Sequence, residues 1–205
     1  MTPTRDGDGV RMPKQILFVQ GAGERVHDEW DERLVRSLAQ SLGSEYRIAY
    51  PRMPDEADPT CSAWKTALRD EASRLADGAI LVGHSLGGAF LVELLAEAPL
   101  AREPRALFLI AAPYLGDGGW PSEDIPPHAD LGARLPEAMP VFVFHGTDDP
   151  IVPSSHAKLY AQAIPRAVLR LLPRRDHQLN DDLGEVAEVI LRLRSKRDGT
   201  PDAHD

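Results

Sequence analysis

The chain carries one cysteine, Cys61, in 205 residues. A single thiol can form neither an internal disulfide nor a thiolate metal cage, so nothing calls for an oxidising compartment. Positive charge is also short, with 23 Lys and Arg against 32 Asp and Glu and a formal net charge of −9. Neither nucleic acid nor an anionic membrane is an expected partner, because both demand a basic stripe. No apolar run approaches the roughly 20 residues that span a bilayer. The opening Met1-Thr2-Pro3-Thr4-Arg5-Asp6-Gly7-Asp8-Gly9 lacks the apolar core of a secretory signal. The cytoplasm is the expected location. Internal repeats and low-complexity tracts are absent, and nothing marks an oligomeric state.

What is present is a rhythm. Short runs rich in Ile, Leu, Val and Phe recur at residues 15–20, 46–50, 79–82, 106–111, 141–144 and 167–172, with helical patterns between them. Continuous apolar runs suit strands covered on both faces, and their alternation with helices implies right-handed crossovers. The predicted fold class is α/β: an open, mostly parallel six-stranded sheet with helices on both faces. A first helix is predicted over 28–42, where Trp30, Leu34, Val35, Leu38 and Leu42 form a stripe that Gly43 ends. A second is predicted over 61–76, facing the sheet with Trp64, Leu68 and Leu75. Later helices start at a Ser154-Ser155 cap and at an Asn180 cap, the last running to about residue 194. Residues 113–140, rich in Gly, Pro and Asp, are expected to form a loop or short lid over one end of the sheet. One domain over 14–195 is expected, with flexible tails at 1–13 and 196–205.

The most informative feature is Gly83-His84-Ser85-Leu86-Gly87-Gly88, placed between the run Ala79-Ile80-Leu81-Val82 and the helix-like residues 89–97. A serine on so tight a strand-to-helix turn needs side-chain-free neighbours, which the G-x-S-x-G spacing supplies. A serine hydroxyl is a weak nucleophile and requires a base, itself oriented by a carboxylate. The run 141–144 ends in His145-Gly146-Thr147-Asp148-Asp149-Pro150-Ile151-Val152-Pro153, and the last run gives way to Pro173-Arg174-Arg175-Asp176-His177. Both loops follow parallel strands and share the carboxyl edge of the sheet with Ser85. The expected triad is Ser85, Asp149 and His177, with Asp148 competing for the acid role.

These three ordered motifs resemble the α/β-hydrolase superfamily from about residue 14 to 193, most closely the small cytosolic serine hydrolases with little or no cap domain. The resemblance implies a shortened sheet of order 2-1-3-4-5-6. The family pattern G-x-x-D-x-x-V-P selects Asp149, leaving Asp148 to shape its turn. His84 becomes an elbow residue with a supporting role. Gln20-Gly21-Ala22-Gly23 matches the family's His-Gly-x-Gly except at Gln20, and the implied oxyanion donors are the amides of Ala22 and Leu86.

Other chemistries fit less well. The glycines after the first run match neither a phosphate loop nor a dinucleotide fingerprint. His177 and Asp181 have no evident third metal ligand, and Asn180-Asp181-Asp182 reads as a helix start. No metal and no cofactor is expected. His145 is expected to pack or hydrogen-bond locally, while His27, His128, His156 and His204 read as surface histidines. Trp120 either walls a pocket or packs its loop. The expected activity is hydrolysis of an ester, thioester or related acyl bond in a small-molecule acyl substrate, small acyl groups being favoured because a large hydrophobic cap is absent. A non-catalytic binding protein of the same fold, an acyltransferase and a peptidase are the alternatives.

Overall fold

The computed structural model describes residues 12–122, 125, 128 and 130–193. Apart from Met12 and Pro13, the expected tails lie outside the described residues. Strands β1 (Lys14–Val19), β2 (Tyr46–Ala49), β3 (Ile80–His84), β4 (Ala106–Ile110), β5 (Val141–Gly146) and β6 (Val168–Leu172) form one six-stranded sheet in the order β2-β1-β3-β4-β5-β6. Every pairing is parallel. Fold class and strand order are those expected from the sequence.

Alternate residues of the central strands feed two cores, as the two-residue period of a strand requires. Leu17, Val19, Leu81, Leu107, Leu109 and Val143 pack under α2 (Cys61–Ser73), α3 (Ser85–Glu97), α4 (Leu131–Arg134) and α5 (Ser155–Ala163). Ile16, Phe18, Ile80, Val82, Phe108 and Phe144 pack under α1 (Glu32–Leu42) and α6 (Gly184–Arg192).

Four expectations need correction. The first helix opens with a π-helical turn, Val26–Asp31, before α1. Its wider winding shifts the phase, so the buried stripe is Asp31, Leu34, Leu38 and Leu42, while Trp30 stays 47% exposed beneath the Arg33 guanidinium. Second, α2 ends at Ser73, short of residue 76, although Trp64, Leu68 and Leu75 are buried as expected. Third, Asn180 does not cap the last helix. Leu179, Asn180 and Asp181 all have positive φ, and α6 starts at Gly184, whose amide donates to Asp182. Fourth, 113–140 is more than a polar lid: Ile125, Leu131, Leu135 and Met139 are buried in the core shared with α3, and Arg166 donates to the carbonyls of Gly132 and Pro136. This segment is the crossover that parallel strands β4 and β5 require.

The junction of β3 and α3 is a close backbone contact. A Cβ on Gly83 would lie 2.6 Å from the Gly88 nitrogen, and one on Gly88 would lie 2.9 Å from the Ala112 Cβ. A Cβ on Gly87 would overlap the Gln20 carbonyl and sit 2.8 Å from the Val19 carbonyl oxygen. The helix thus touches the backbone at the end of β1, where no side chain fits. Gly87→Val is expected to cost about 1–3 kcal/mol of stability, at the range seen for overpacked cores; denaturant unfolding checks this, and an unchanged midpoint would contradict it.

Candidate active site

At the end of β3 the backbone turns so sharply that Ser85 has φ 50°. A non-glycine residue adopts that left-handed conformation at a cost of about 1–3 kcal/mol. Ser85 and Leu86 are half-buried, at the amino end of a helix whose first N–H groups have no intrahelical partner. The loop after β1 lies against this turn: a Cβ on Gly21 would stand 3.0 Å from Ser85 Cβ and 3.6 Å from Ser85 Oγ.

Two of that loop's amides are already committed. Gly21 N–H donates to Asp31 Oδ2 at 2.7 Å and Gly23 N–H to the Glu56 carbonyl at 2.6 Å. Among the described residues the amides of Ala22 and Leu86 make no backbone hydrogen bond outside the helices and strands. Gln20 is fully buried and anchors the loop from below: its Oε1 accepts from Met53 N–H at 3.2 Å and its Nε2 donates to the Glu56 carboxylate. The departure from the histidine of the family pattern is thus met by an amide that both donates and accepts.

Asp149 and His177 meet across the ends of β5 and β6. A Cβ on Gly146 would lie 2.6 Å from the Asp176 carbonyl oxygen, and Asp148 N–H donates to the Arg175 carbonyl at 3.0 Å, so glycine lets the two loops touch. Asp176 Oδ1 accepts from Gln178 and Asn180 N–H, and Asn180 Oδ1 accepts from Asp176 N–H, so the turn that presents His177 is stapled. His177 Nδ1–H donates to Asp149 Oδ2 at 2.8 Å. Asp149 Oδ1 accepts from Ile151 and Val152 N–H at 2.8 and 2.9 Å. Burial alone would raise the Asp149 carboxyl, but the bonds from His145, His177 and Val152 outweigh it and hold the group well below the usual carboxylate range. Asp148 points away, exposed, and accepts from the Thr147 hydroxyl at 2.8 Å. Burial pushes the His177 imidazole down from its ordinary value, against the bond to Asp149.

Two further buried groups matter here: His145, which packs and hydrogen-bonds locally as expected, and Asp31, which escaped the sequence reading. His145 is fully buried, with Nε2 2.7 Å from the Val152 carbonyl and 3.1 Å from Asp149 Oδ2, so the carboxylate serves two histidines. Asp31, also fully buried, faces His84 Nδ1 at 2.9 Å. Its signal was available: a carboxylate standing on the stripe that Leu34, Leu38 and Leu42 define.

Of the histidines expected on the surface, His156 is buried, accepting from Tyr114 N–H at 3.0 Å, and His128 bonds Glu93 at 2.8 Å. His27 stacks on Tyr50, and His204 lies outside the described residues. Trp120 packs its own loop, edge-on to His156, with its backbone amide donating to the Tyr114 carbonyl at 2.9 Å. Among the described residues no group of three or more His, Cys, Asp or Glu is arranged to hold a metal, and no helix is long and apolar enough to cross a membrane.

Comparison with known proteins places the fold and the family. A search of curated proteins finds no match. Among solved structures, the ydeN gene product of B. subtilis superposes with a TM-score of 0.68 at 22% identity, over 89% of this chain and 100% of that one. Est1E from Butyrivibrio proteoclasticus gives 0.63 at 19% identity, over 92% and 91%. XC6422 from Xanthomonas campestris, described as an α/β serine hydrolase without lid, gives 0.61 at 19%, over 96% and 88%. These likenesses share the fold. The family model described as "Serine hydrolase" matches residues 16–187, most of the chain, and the protein therefore belongs to the serine hydrolase family, as an enzyme of the α/β-hydrolase fold.

Proposed function

We propose that the protein hydrolyses a carboxylic ester, thioester or related acyl bond through an acyl-enzyme on Ser85, with His177 as base and Asp149 as its orienting acid. The observation that carries this reading is the 2.8 Å bond from His177 Nδ1–H to Asp149 Oδ2. It fixes the tautomer in which Nε2 bears the lone pair.

In the first half-reaction His177 Nε2 takes the Ser85 Oγ proton as Oγ bonds the acyl carbon. The carbonyl π pair moves onto oxygen, where the amides of Ala22 and Leu86 stabilise it. The carbonyl re-forms, the bond to the leaving group breaks, and that group leaves with the proton from His177. Water then repeats the sequence on the acyl-enzyme, regenerating Ser85. Asp149 does not receive the proton, because a carboxylate held low by three donors is a poor base.

The substrate expected is a small-molecule ester with a short acyl group. The β4–β5 crossover spends Leu131, Leu135 and Met139 in the core rather than offering them as a cap, and the likeness to a lidless hydrolase supports the same view.

With p-nitrophenyl acetate as substrate, Ser85→Ala, His177→Ala and Asp149→Asn are each expected to lower kcat by on the order of 10⁴-fold or more with the fold intact, because the three groups act as one unit. Asp148→Asn is expected to stay within about 3-fold of wild type, since its carboxylate bonds only its own turn. Full turnover in His177→Ala would overturn the mechanism. Gly87→Val, by displacing Ser85 or Leu86 even about 1 Å, is expected to lose on the order of 100-fold in rate.

The pH profile follows from His177. It must be neutral to accept the Ser85 proton, and burial depresses it from its ordinary value, so kcat/KM is expected to rise with pH through a midpoint below about 6.5 and to be level at neutrality. A midpoint above 7 would contradict this.

A further inference from the structure

Asp31 and His84 sit fully buried where three catalytic segments meet. Asp31 belongs to the π-helical turn ahead of α1, and its Oδ2 accepts from the Gly21 amide at 2.7 Å and from His84 Nδ1 at 2.9 Å. His84 directly precedes Ser85, and its Nε2 lies 3.1 Å from the carbonyl oxygen of His177. We propose that Asp31 and His84 form a buried, hydrogen-bonded charge pair that positions the hydrolytic site, tying the oxyanion loop, the nucleophile elbow and the His177 turn into one arrangement. The inference rests on the hydrolase reading above.

The proton count follows from the partners. A carbonyl oxygen only accepts, so Nε2 carries a hydrogen toward His177. A carboxylate 2.9 Å from Nδ1 requires a second hydrogen between them. A hydrogen shared between a carboxyl and an imidazole rests on the imidazole, the stronger base by roughly 2–3 units in ordinary values, so the ring carries both N–H groups as an imidazolium beside a carboxylate. Burial disfavours that charge, but the charge and hydrogen bond of Asp31, with the His177 carbonyl, outweigh it and raise the His84 pKa. The ionisable groups that face His84 are Asp31 from the turn before α1, Asp149 from the loop after β5 and His177 from the loop after β6.

A buried ion pair is seldom the most stable way to fill such a space, since desolvation of both ions offsets their attraction. Here Asp31 Oδ1 is buried with no hydrogen-bond partner among the described residues, a further cost. What the pair supplies is register. Each bond ends on a different loop, and an apolar pair of the same volume would make none of them. It also acts on the base: the His84 and His177 rings stand 4.8 Å apart, and the imidazolium opposes protonation of His177, its effect exceeding the opposite one of Asp31. Neither residue touches the reacting atoms, so both are positioning residues.

The test compares wild type, Asp31→Ala, Asp31→Asn and His84→Gln with p-nitrophenyl acetate across pH, beside ¹⁵N spectra of the histidine rings. Asp31→Ala is expected to lower kcat about 10- to 100-fold, the loss typical of small misplacement of reacting groups, with KM changed less than about 3-fold. Asp31→Asn is expected to recover part of that loss, because its amide oxygen, in the place of Oδ2, still accepts from Gly21 N–H and from Nδ1–H of a now neutral His84, while the Nε2–H bond to the His177 carbonyl is given up. In Asp31→Asn and His84→Gln the acid limb of kcat/KM is expected to move to higher pH, since the imidazolium beside His177 is gone. Wild-type spectra are expected to show both ring nitrogens of His84 protonated at about pH 7, above the ordinary imidazole value. Wild-type kcat and an unshifted limb in both Asp31 variants, or a single ring N–H on His84 at that pH, would overturn the proposal. Should Asp31→Ala not fold, the Asp31→Asn profile and the wild-type spectrum decide it. If the wild type neither turns over nor reacts with a fluorophosphonate, the hydrolase reading fails instead, and the spectrum still decides whether the charge pair exists.

Discussion

The site depends on a backbone crossing. α3 leaves β3 at so steep an angle that Gly83 and Gly88 touch, while Gly87 rests on the carbonyls that end β1. This closeness lays the loop 20–23 against Ser85. The left-handed backbone at Ser85 costs about 1–3 kcal/mol. Burying Phe90, Leu91 and Leu94 of α3 contributes about 1.5–3 kcal/mol each, so the helix sustains the strain with a wide margin. The elbow is held in place by the core below it.

On this frame sit two carboxylate–histidine pairs with opposite electrostatic results. Asp149 is saturated by the Ile151 and Val152 amides, His145 and His177, and the imidazole it orients is kept below its ordinary pKa. Asp31 holds an imidazole raised above it. The contrast comes from what the second ring nitrogen faces: the His177 carbonyl completes an imidazolium at His84, whereas burial and the neighbouring His84 charge work against a proton on His177. One pair suits an acceptor of protons, the other a fixed brace.

Much of this was legible in the chain. Buried parallel strands read as continuous apolar runs, and the six runs fall within two residues of the observed strands at every end. The sequence reading selected Ser85, Asp149 and His177, and the structure brings the latter two into contact and sets all three beyond the ends of β3, β5 and β6. What failed was phase and local turn chemistry. A π-helical turn has no composition signature, so Trp30 rather than Asp31 was put on the buried stripe. The left-handed run at 179–181 moved the start of the last helix to Gly184, with Asp182 beside it. In the segment 113–140, Gly and Pro content obscured four widely spaced apolar residues that join the core. His84 read as a supporting elbow residue with no named partner, because Asp31 is brought to it only by tertiary packing, whereas His145 bonds within its own loop as expected.

The central claim is that Ser85, held in its strained turn, attacks an acyl carbon whose oxygen binds the amides of Ala22 and Leu86. A crystal structure of the protein after reaction with a fluorophosphonate tests it most directly. The account predicts one phosphonyl group bonded to Ser85 Oγ, with its free oxygen about 3 Å from both amide nitrogens. An adduct on another residue, or a phosphonyl oxygen turned away from both amides, would contradict it.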